Sequence, residues 1–408
     1  MTAIFALWNT SGFSLAADSN QRINEPGQIW IDPIQKIFSL PNHQVAFGGA
    51  GDSLIDMVDV NVLVSTWSKK LKEPLPTIED YAISFLNWFN DQELPDTSAE
   101  LNLDEFDSTI RENFEILKTE YPRFMEANAE EIADFLASKM VKQPIAALNV
   151  YGNRYLDLEI NKFEYESDAE ILSYESIFRI HNEVSAYRIS SESYKNYWAN
   201  CYTRCFSRAS EIFPSIAGEE FDSDRDWHIG LIDSLIEVHE NLFFPDATYA
   251  RCMLIGYGEN DWIPRAVVFR IYDSEWGVRQ VAVEQVLDPK FQWYVTIGIS
   301  SGVGDLARGY SSDFHESLIE VSSESLDEST NSELMSKLYE LGTQRIQKSL
   351  NRIDSLTVRR LEFVARLFVE LEALKSYLNE PLPGVGGDVQ YITMTKDSTK
   401  SGVYHEYN

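Results

Sequence analysis

TAIFALWNTSGFSLAADSN, residues 2–20, sets two short apolar runs, 3–8 and 13–17, on either side of Asn9-Thr10-Ser11-Gly12. Two β-prone runs joined by polar or small residues predict a hairpin. Working outward, Gln28–Asp32 and Lys36–Leu40 predict two further strands, the second closed by the turn signal Pro41-Asn42-His43. Gln44–Phe47 then runs into Gly48-Gly49-Ala50-Gly51-Asp52. A strand that meets glycines and then an Asp able to cap a helix predicts a tight strand-to-helix turn, with the first helix over 53–70. This stretch is therefore rich in strands before any helix begins.

Further along, the character changes. Residues 77–92 and 104–141 are helical by period and acidic, with prolines at 74, 76, 95 and 122 breaking the pattern. Residues 144–166 alternate as a strand pair around Gly152-Asn153. After a helical segment near 227–243, strand patterns return at 248–258, 265–273, 278–286 and 292–300. Long helices are predicted over 332–350 and 355–379, then a closing strand, VQYITMT, at 389–395; the last residues, SGVYHEYN, read as a mobile polar tail. The Ser/Glu/Asp run at 322–333 reads as a solvated linker. Antiparallel strands flanking grouped helices imply a layered α+β fold. Its core is expected to be discontinuous, 1–72 and 227–408, around a mostly helical acidic insertion at 73–226.

Composition narrows the function classes. The 408 residues are 44% hydrophobic and 12% aromatic, enough for a sizeable core. Lys and Arg total 34 against 65 Asp and Glu, a formal charge of −31. Without surplus cations to displace counterions, no nucleic-acid partner is expected, and no anionic membrane surface either. No run approaches the roughly 20 apolar residues that span a bilayer, and residues 1–20 lack the cationic segment of a secretory signal. Cys201, Cys205 and Cys252 read as reduced thiols of a cytoplasmic protein. The six histidines are scattered, with no H-x-x-x-H, so neither a metal nor an organic cofactor is expected.

Thr2 stands directly after Met1, and a small second residue lets methionine aminopeptidase leave Thr2 as the new terminus. A terminal threonine carries nucleophile and base together, because its α-amine, with an ordinary pKa of about 7.7–8.0, can take the proton of its own hydroxyl. The chain from Thr2 onward resembles the β-type subunits of the proteasome and related bacterial subunits, members of the N-terminal nucleophile (Ntn) hydrolases. The resemblance lies in Thr2, Gly12, Leu15-Ala16-Ala17-Asp18-Ser19, Ile34-Gln35-Lys36-Ile37-Phe38-Ser39-Leu40 and Phe47-Gly48-Gly49-Ala50-Gly51-Asp52, with later echoes at Met253–Gly258 and Val385–Val389. It covers about 1–72 and 227–395.

The resemblance implies a four-layer αββα Ntn-hydrolase sandwich and an amidohydrolase acting on a peptide or protein through a Thr2 acyl-enzyme. Lys36 would lower the pKa of the terminal group, Asp18 would orient Lys36, the Gly48 N–H would line an oxyanion hole and Ser301 would contact the terminal amine. A homo-oligomer is implied too, and an ATP-dependent unfoldase is a conceivable partner. The sequence departs from the family pattern at Asn20, where an Arg is usual, and in the Asp18–Lys36 and Lys36–Asp52 spacings. Glu380 stands nearest in order to the family's later Asp.

Two other readings compete. Gly298-Ile299-Ser300-Ser301-Gly302 satisfies G-x-S-x-G, the nucleophile elbow of α/β-hydrolases, with Asp354 and His405 following in the right order. That fold, however, needs strands and helices alternating before the serine. A non-catalytic scaffold, with Thr2 merely structural, is the other alternative.

Overall fold

The computed structural model describes residues 2–25, 28–51, 54–92, 114–121, 168–192, 249–273, 281–288, 294–298, 352–379 and 385–405, with scattered positions elsewhere. β1 (Ala3–Asn9) and β2 (Gly12–Asp18) form the expected hairpin, turning at Thr10-Ser11. Gly12 must be glycine: its φ is +153°, and a Cβ there would stand 2.4 Å from the Met394 carbonyl oxygen. β3 (Asn20–Glu25) pairs with β4 (Gln28–Pro33) as a separate ribbon. β3 is not among the expected strands, since NQRINE carries a single aliphatic residue.

β5 (Ile37–Ser39) and β6 (Val45–Gly51) follow as expected, but the glycines behave differently from the prediction. β6 runs straight through Gly48, Gly49 and Ala50 and ends at Gly51, where bare backbone is required: a Cβ on Gly51 (φ +95°) would stand 2.7 Å from the Tyr249 carbonyl oxygen. The helix expected over 53–70 is also corrected. β7 (Leu54–Ile55) and β8 (Val58–Asp59) form a small hairpin, with Asp56 and Met57 at positive φ and the Asp56 N–H donating to Asp273. Only then does α1 (Val60–Ser68) begin, capped by Asp59 accepting from the Asn61 N–H at 2.7 Å. Thr77 and Asp80 build a reciprocal capping box on α2 (Ile78–Asn90). α3 (Asp168–Ser190), β9 (Tyr249–Gly256), β10 (Arg265–Tyr272), β11 (Val281–Leu287), β12 (Tyr294–Gly298), α4 (Val358–Asn379), β13 (Val389–Thr395) and β14 (Ser398–Tyr404) complete the described elements.

The fold is α+β with antiparallel sheets. The first sheet has the order β12-β1-β2-β13-β14 and the second β11-β10-β9-β6-β5. Alternation along β1 and β2 sends Ile4, Ala6, Trp8, Phe13, Leu15 and Ala17 to the second sheet, where they meet Ile37, Ala46, Met253, Ile255 and Val268. Ala3, Phe5, Leu7 and Ala16 on the reverse face pack against Leu361, Ala365 and Val369 of α4. Both hairpin strands are thus buried on two sides, which explains their near-continuous apolar run. The far face of the second sheet packs Phe47, Leu254 and Phe269 against α1, α2 and Ile177, Ile180 and Val184 of α3. Phe85 fastens this layer, with its ring 5.2 Å from Trp67 and 5.6 Å from Phe269.

The tail is a further correction. Residues 398–404 pair with β13 along the whole strand, from Thr395↔Ser398 to Val389↔Tyr404, so the chain stays in the sheet. The predicted strand pair at 144–166 and the helix near 227–243 lie outside the described residues, as do 322–333 and 332–350 apart from isolated positions. Of the helix expected over 104–141, the described stretch 114–120 is helical, and most of the remainder lies outside the described residues. Among the described residues no helix is long and apolar enough to cross a membrane.

Candidate active site

The site is built where β2 ends and β1 begins. Asp18 is fully buried, and its carboxylate is shared three ways. Oδ1 accepts the Ala3 N–H at 2.8 Å, and Oδ2 accepts the Lys36 Nζ at 2.9 Å and the Gly386 N–H at 3.3 Å. The Lys36 ammonium also donates to the Asn20 carbonyl, and its side chain is only 2% exposed. Burial pushes the Asp18 carboxyl up and the Lys36 ammonium down, each away from its charged form. The ion pair opposes that cost on both sides, and the two backbone N–H groups add to it at Asp18.

Lys36 reaches Asp18 because the segment before β5 is clamped on every side. Gln390 of β13 donates to the Ile34 carbonyl and accepts the Lys36 N–H at 2.9 Å. The Ile34 N–H donates to the Ser19 carbonyl at 2.7 Å, and the Gly49 N–H donates to the Lys36 carbonyl at 3.1 Å. The lysine is therefore placed by backbone from both sheets, which suits a cation that cannot swing.

Thr2 is half-buried and leads directly into β1. Continuing the alternation of Ile4, Ala6 and Trp8 aims its side chain into the gap between the sheets. Its carbonyl is pressed against Gly298, the last residue of β12: a Cβ there would come 2.0 Å from the Thr2 oxygen, and Gly298 holds φ +85°. Gly48 lies across the gap, with its open Cβ position 3.5 Å from Ile4. Hydrogen bonds alternate in direction along an antiparallel strand. The Gly49 N–H turns to β5, and the Tyr257 N–H meets the Gln44 carbonyl at the other ladder, so the Gly48 N–H points to Met253 of β9. On the α4 side of Asp18, a cavity of about 810 Å³ is lined by Asp18, Gly386, Leu374, Tyr377 and Tyr404.

Thr2, Asp18 and Lys36 are thus brought to one end of the β1–β2 hairpin, and Gly48 of the second sheet faces Ile4, two residues along β1 from Thr2. Ser301 lies outside the described residues, as do Ser300, Cys201 and Cys205. The other two members of the serine-elbow reading are described and are apart. Asp354 belongs to a short 3-10 turn whose carbonyls hold Asn9, at the opposite end of β1 from Gly298, whereas His405 is exposed and meets Asp388 at 2.8 Å. Cys252 is buried in β9, where burial pushes its thiol up. Sequence reasoning missed the Asn20 carbonyl and the Gly386 N–H, backbone groups that leave no residue-type signal, and the Gln390 side-chain amide, whose partners Ile34 and Lys36 lie far away in the chain. It also missed Arg251, Arg270 and Glu284, for which a signal existed: charged residues on strand faces that are otherwise apolar.

No family model matches the chain, and no curated protein matches it by sequence. Among solved structures it is similar to the helical assembly of the Anbu complex from Pseudomonas aeruginosa, at 10% identity and a TM-score of 0.29, covering 100% of this chain and 88% of that one. It is similar likewise to Anbu (ancestral beta-subunit) from Yersinia bercovieri, at 11% identity and a TM-score of 0.28, with the same coverage. The resemblance to proteasome β-type subunits is therefore corrected. The neighbours are a proteasome-like but distinct family, and scores this low carry no argument of their own. The functional reading has to rest on the site.

Proposed function

We propose that this chain is an amidohydrolase that uses the Thr2 hydroxyl as nucleophile and the Thr2 α-amine as general base, carried on a four-layer αββα sandwich. The observation that supports it most is the single buried carboxylate of Asp18, which holds both the first peptide N–H of the strand led by Thr2 and the Lys36 ammonium. A fixed cation there favours the unprotonated amine by like-charge repulsion and stabilises an alkoxide by attraction.

In the reaction, the Thr2 amine takes the hydroxyl proton as the oxygen attacks the amide carbonyl. The resulting ammonium returns that proton to the leaving amine as the C–N bond breaks, leaving an ester on Thr2. Water then attacks the ester, its proton going to the same amine, and the acid is released with the hydroxyl restored. The reading requires a free α-amine on Thr2. Gly48 keeps the wall beside Ile4 clear, and with its N–H directed at β9 the oxyanion donor is left unassigned. Ser301, three residues beyond the glycine that abuts Thr2, is the proposed hydroxyl partner of the amine.

A peptide or protein is the proposed substrate. The core is proposed as 1–72 and 227–408, and among the described residues of 73–226 α2 and α3 pack on it. A homo-oligomer is proposed from the outer face of α4, where Phe363, Leu367, Leu374, Tyr377 and Leu378 are exposed at helical spacing. The test of the chemistry is hydrolysis of a panel of fluorogenic peptide amides by the parent chain, Thr2→Ala and Thr2→Ser. Release by the parent, lost in Thr2→Ala and partly kept in Thr2→Ser, is expected. Release that survives Thr2→Ala rejects the reading.

A further inference from the structure

The inter-sheet face beside Thr2 carries a charged cluster with no part in the chemistry above. Its level can be fixed from packing across the gap. Phe13, next to the β1–β2 turn, faces Tyr257 with ring centroids 6.4 Å apart, and Ile4 faces Gly48. Two residues further along each strand, Thr2 comes level with Ala50. The ladders pair Ala50 with Arg251 and Arg251 with Arg270, so these three form one row across the second sheet. With strands about 4.8 Å apart, the arginines start about 5 and 10 Å to the side of the point facing Thr2.

The parity of both strands gives the same direction. Met253 and Ile255 of β9, and Ala266 and Val268 of β10, belong to the inter-sheet core, and Arg251 and Arg270 continue those same faces. Glu284 joins them through a bulge. The β10–β11 register passes from Val268↔Gln285 to Phe269↔Val283, leaving Glu284 as the extra residue turned onto this face. Its carboxylate accepts from Arg251 Nε at 2.6 Å and from Arg270. Arg270 also lies over the Tyr249 ring, 4.4 Å from its centroid, and the Tyr272 ring packs tilted beside Tyr249, with centroids 5.6 Å apart. The guanidiniums are therefore held in place yet remain 26% and 21% exposed.

At this end of the molecule Lys36 pairs with Asp18, and Arg251 and Arg270 share the one carboxylate of Glu284, with Asp56 and Asp273 just beyond the strand ends. Two guanidiniums held by a single carboxylate stand out in a chain of net charge −31. We infer that Arg251 and Arg270 form an anion-recognition site beside Thr2, and that the substrate is an acidic peptide or amide carrying a carboxylate within about one residue of the scissile bond. This rests on the proposed function and deepens it by naming the substrate class. Planar guanidiniums fixed by a carboxylate and an aromatic floor are organised for a second carboxylate before it arrives. The negative surface elsewhere repels such a ligand, so the site supplies selectivity against the general field.

The test reads binding without chemistry, using the full chain with Thr2→Ala. Calorimetric titration compares the isosteric ligands acetyl-Ala-Ala-Glu-amide and acetyl-Ala-Ala-Gln-amide. The acidic peptide is expected to bind at least about tenfold more tightly, with the gap narrowing as salt rises from about 0.05 to about 0.5 M. Adding Arg251→Met should bring the two peptides within about threefold, while Glu284 keeps Arg270 as its partner. Equal binding of both peptides to the Thr2→Ala chain overturns the inference, as does a preference that survives Arg251→Met or ignores salt. Because no turnover is needed, failure of this site and failure of the nucleophile are distinguishable.

Discussion

Replacing Lys36 by methionine isolates what the buried pair does. Methionine keeps most of the aliphatic volume, so the change removes an ammonium rather than opening a cavity. Asp18 then stays fully buried with the Ala3 and Gly386 N–H groups as its donors. Breaking a buried ion pair from one side costs about 3–5 kcal/mol, and the two remaining donors place this case near the lower end, about 3 kcal/mol at pH 7. The deficit has a definite pH dependence. Burial already raises the Asp18 carboxyl above its ordinary 3.8, and without the ammonium that rise is less opposed. A folded-state pKa above the unfolded one means the native state binds the proton first, so between the two values the variant gains stability as pH falls. Urea unfolding followed by tryptophan fluorescence reports this directly, since Trp8 and Trp67 are buried. The deficit should shrink from pH 7 to pH 5. A loss under about 1 kcal/mol at pH 7, or a loss that grows on acidification, refutes the reasoning.

Other perturbations probe other parts of the structure. Burial holds the His43 imidazole below its ordinary 6.5, with Nδ1 bonded to the Tyr81 hydroxyl at 2.8 Å. The unfolded chain therefore takes this proton first, and stability should fall as pH drops through 6.5 toward the lowered folded value; His43→Gln should remove that part of the slope in denaturation curves at about pH 7.5 and 5.5. Tyr81→Phe deprives the Leu75 N–H and the His43 ring of their shared hydroxyl, at a cost of about 1–3 kcal/mol in the same assay. Gly298→Ala drives a methyl into the Thr2 carbonyl at positive φ, so it should lower the melting temperature and suppress hydrolysis together. Light scattering should give a mass that is a multiple of 46.7 kDa, returning to 46.7 kDa in Leu374→Glu combined with Leu378→Glu; a parent chain already at that mass contradicts the α4 interface.

Much of the fold is legible in the sequence because its determinants are local. The β1–β2 hairpin, α2 and strands β9 to β12 follow from period, turn residues and caps. The 53–70 segment misleads because Gly48–Gly51 carry the signature of a loop, while the pairing that keeps them in a strand comes from β5 and β9, elsewhere in the chain. The polar tail misleads for a related reason: β14 is mostly exposed, so its sequence lacks apolar alternation and its order comes from β13 backbone pairing. In the site, Thr2, Asp18 and Lys36 can be picked out by order and spacing. The groups that hold them, the Asn20 carbonyl, the Gly386 N–H and the two-handed Gln390 amide, are contacts between distant segments and invisible to spacing.

The central claim is that Thr2 is a free, activated N-terminal nucleophile, and intact mass tests it most directly. The purified chain is weighed before and after treatment with a peptide epoxyketone, which reacts with a hydroxyl and adjacent amine together. The expected result is a chain starting at Thr2 that gains one adduct, with labelling lost in Thr2→Ala and strongly slowed in Lys36→Met. A chain that retains Met1, or one with a free Thr2 that labels no faster than the Lys36→Met variant, contradicts it.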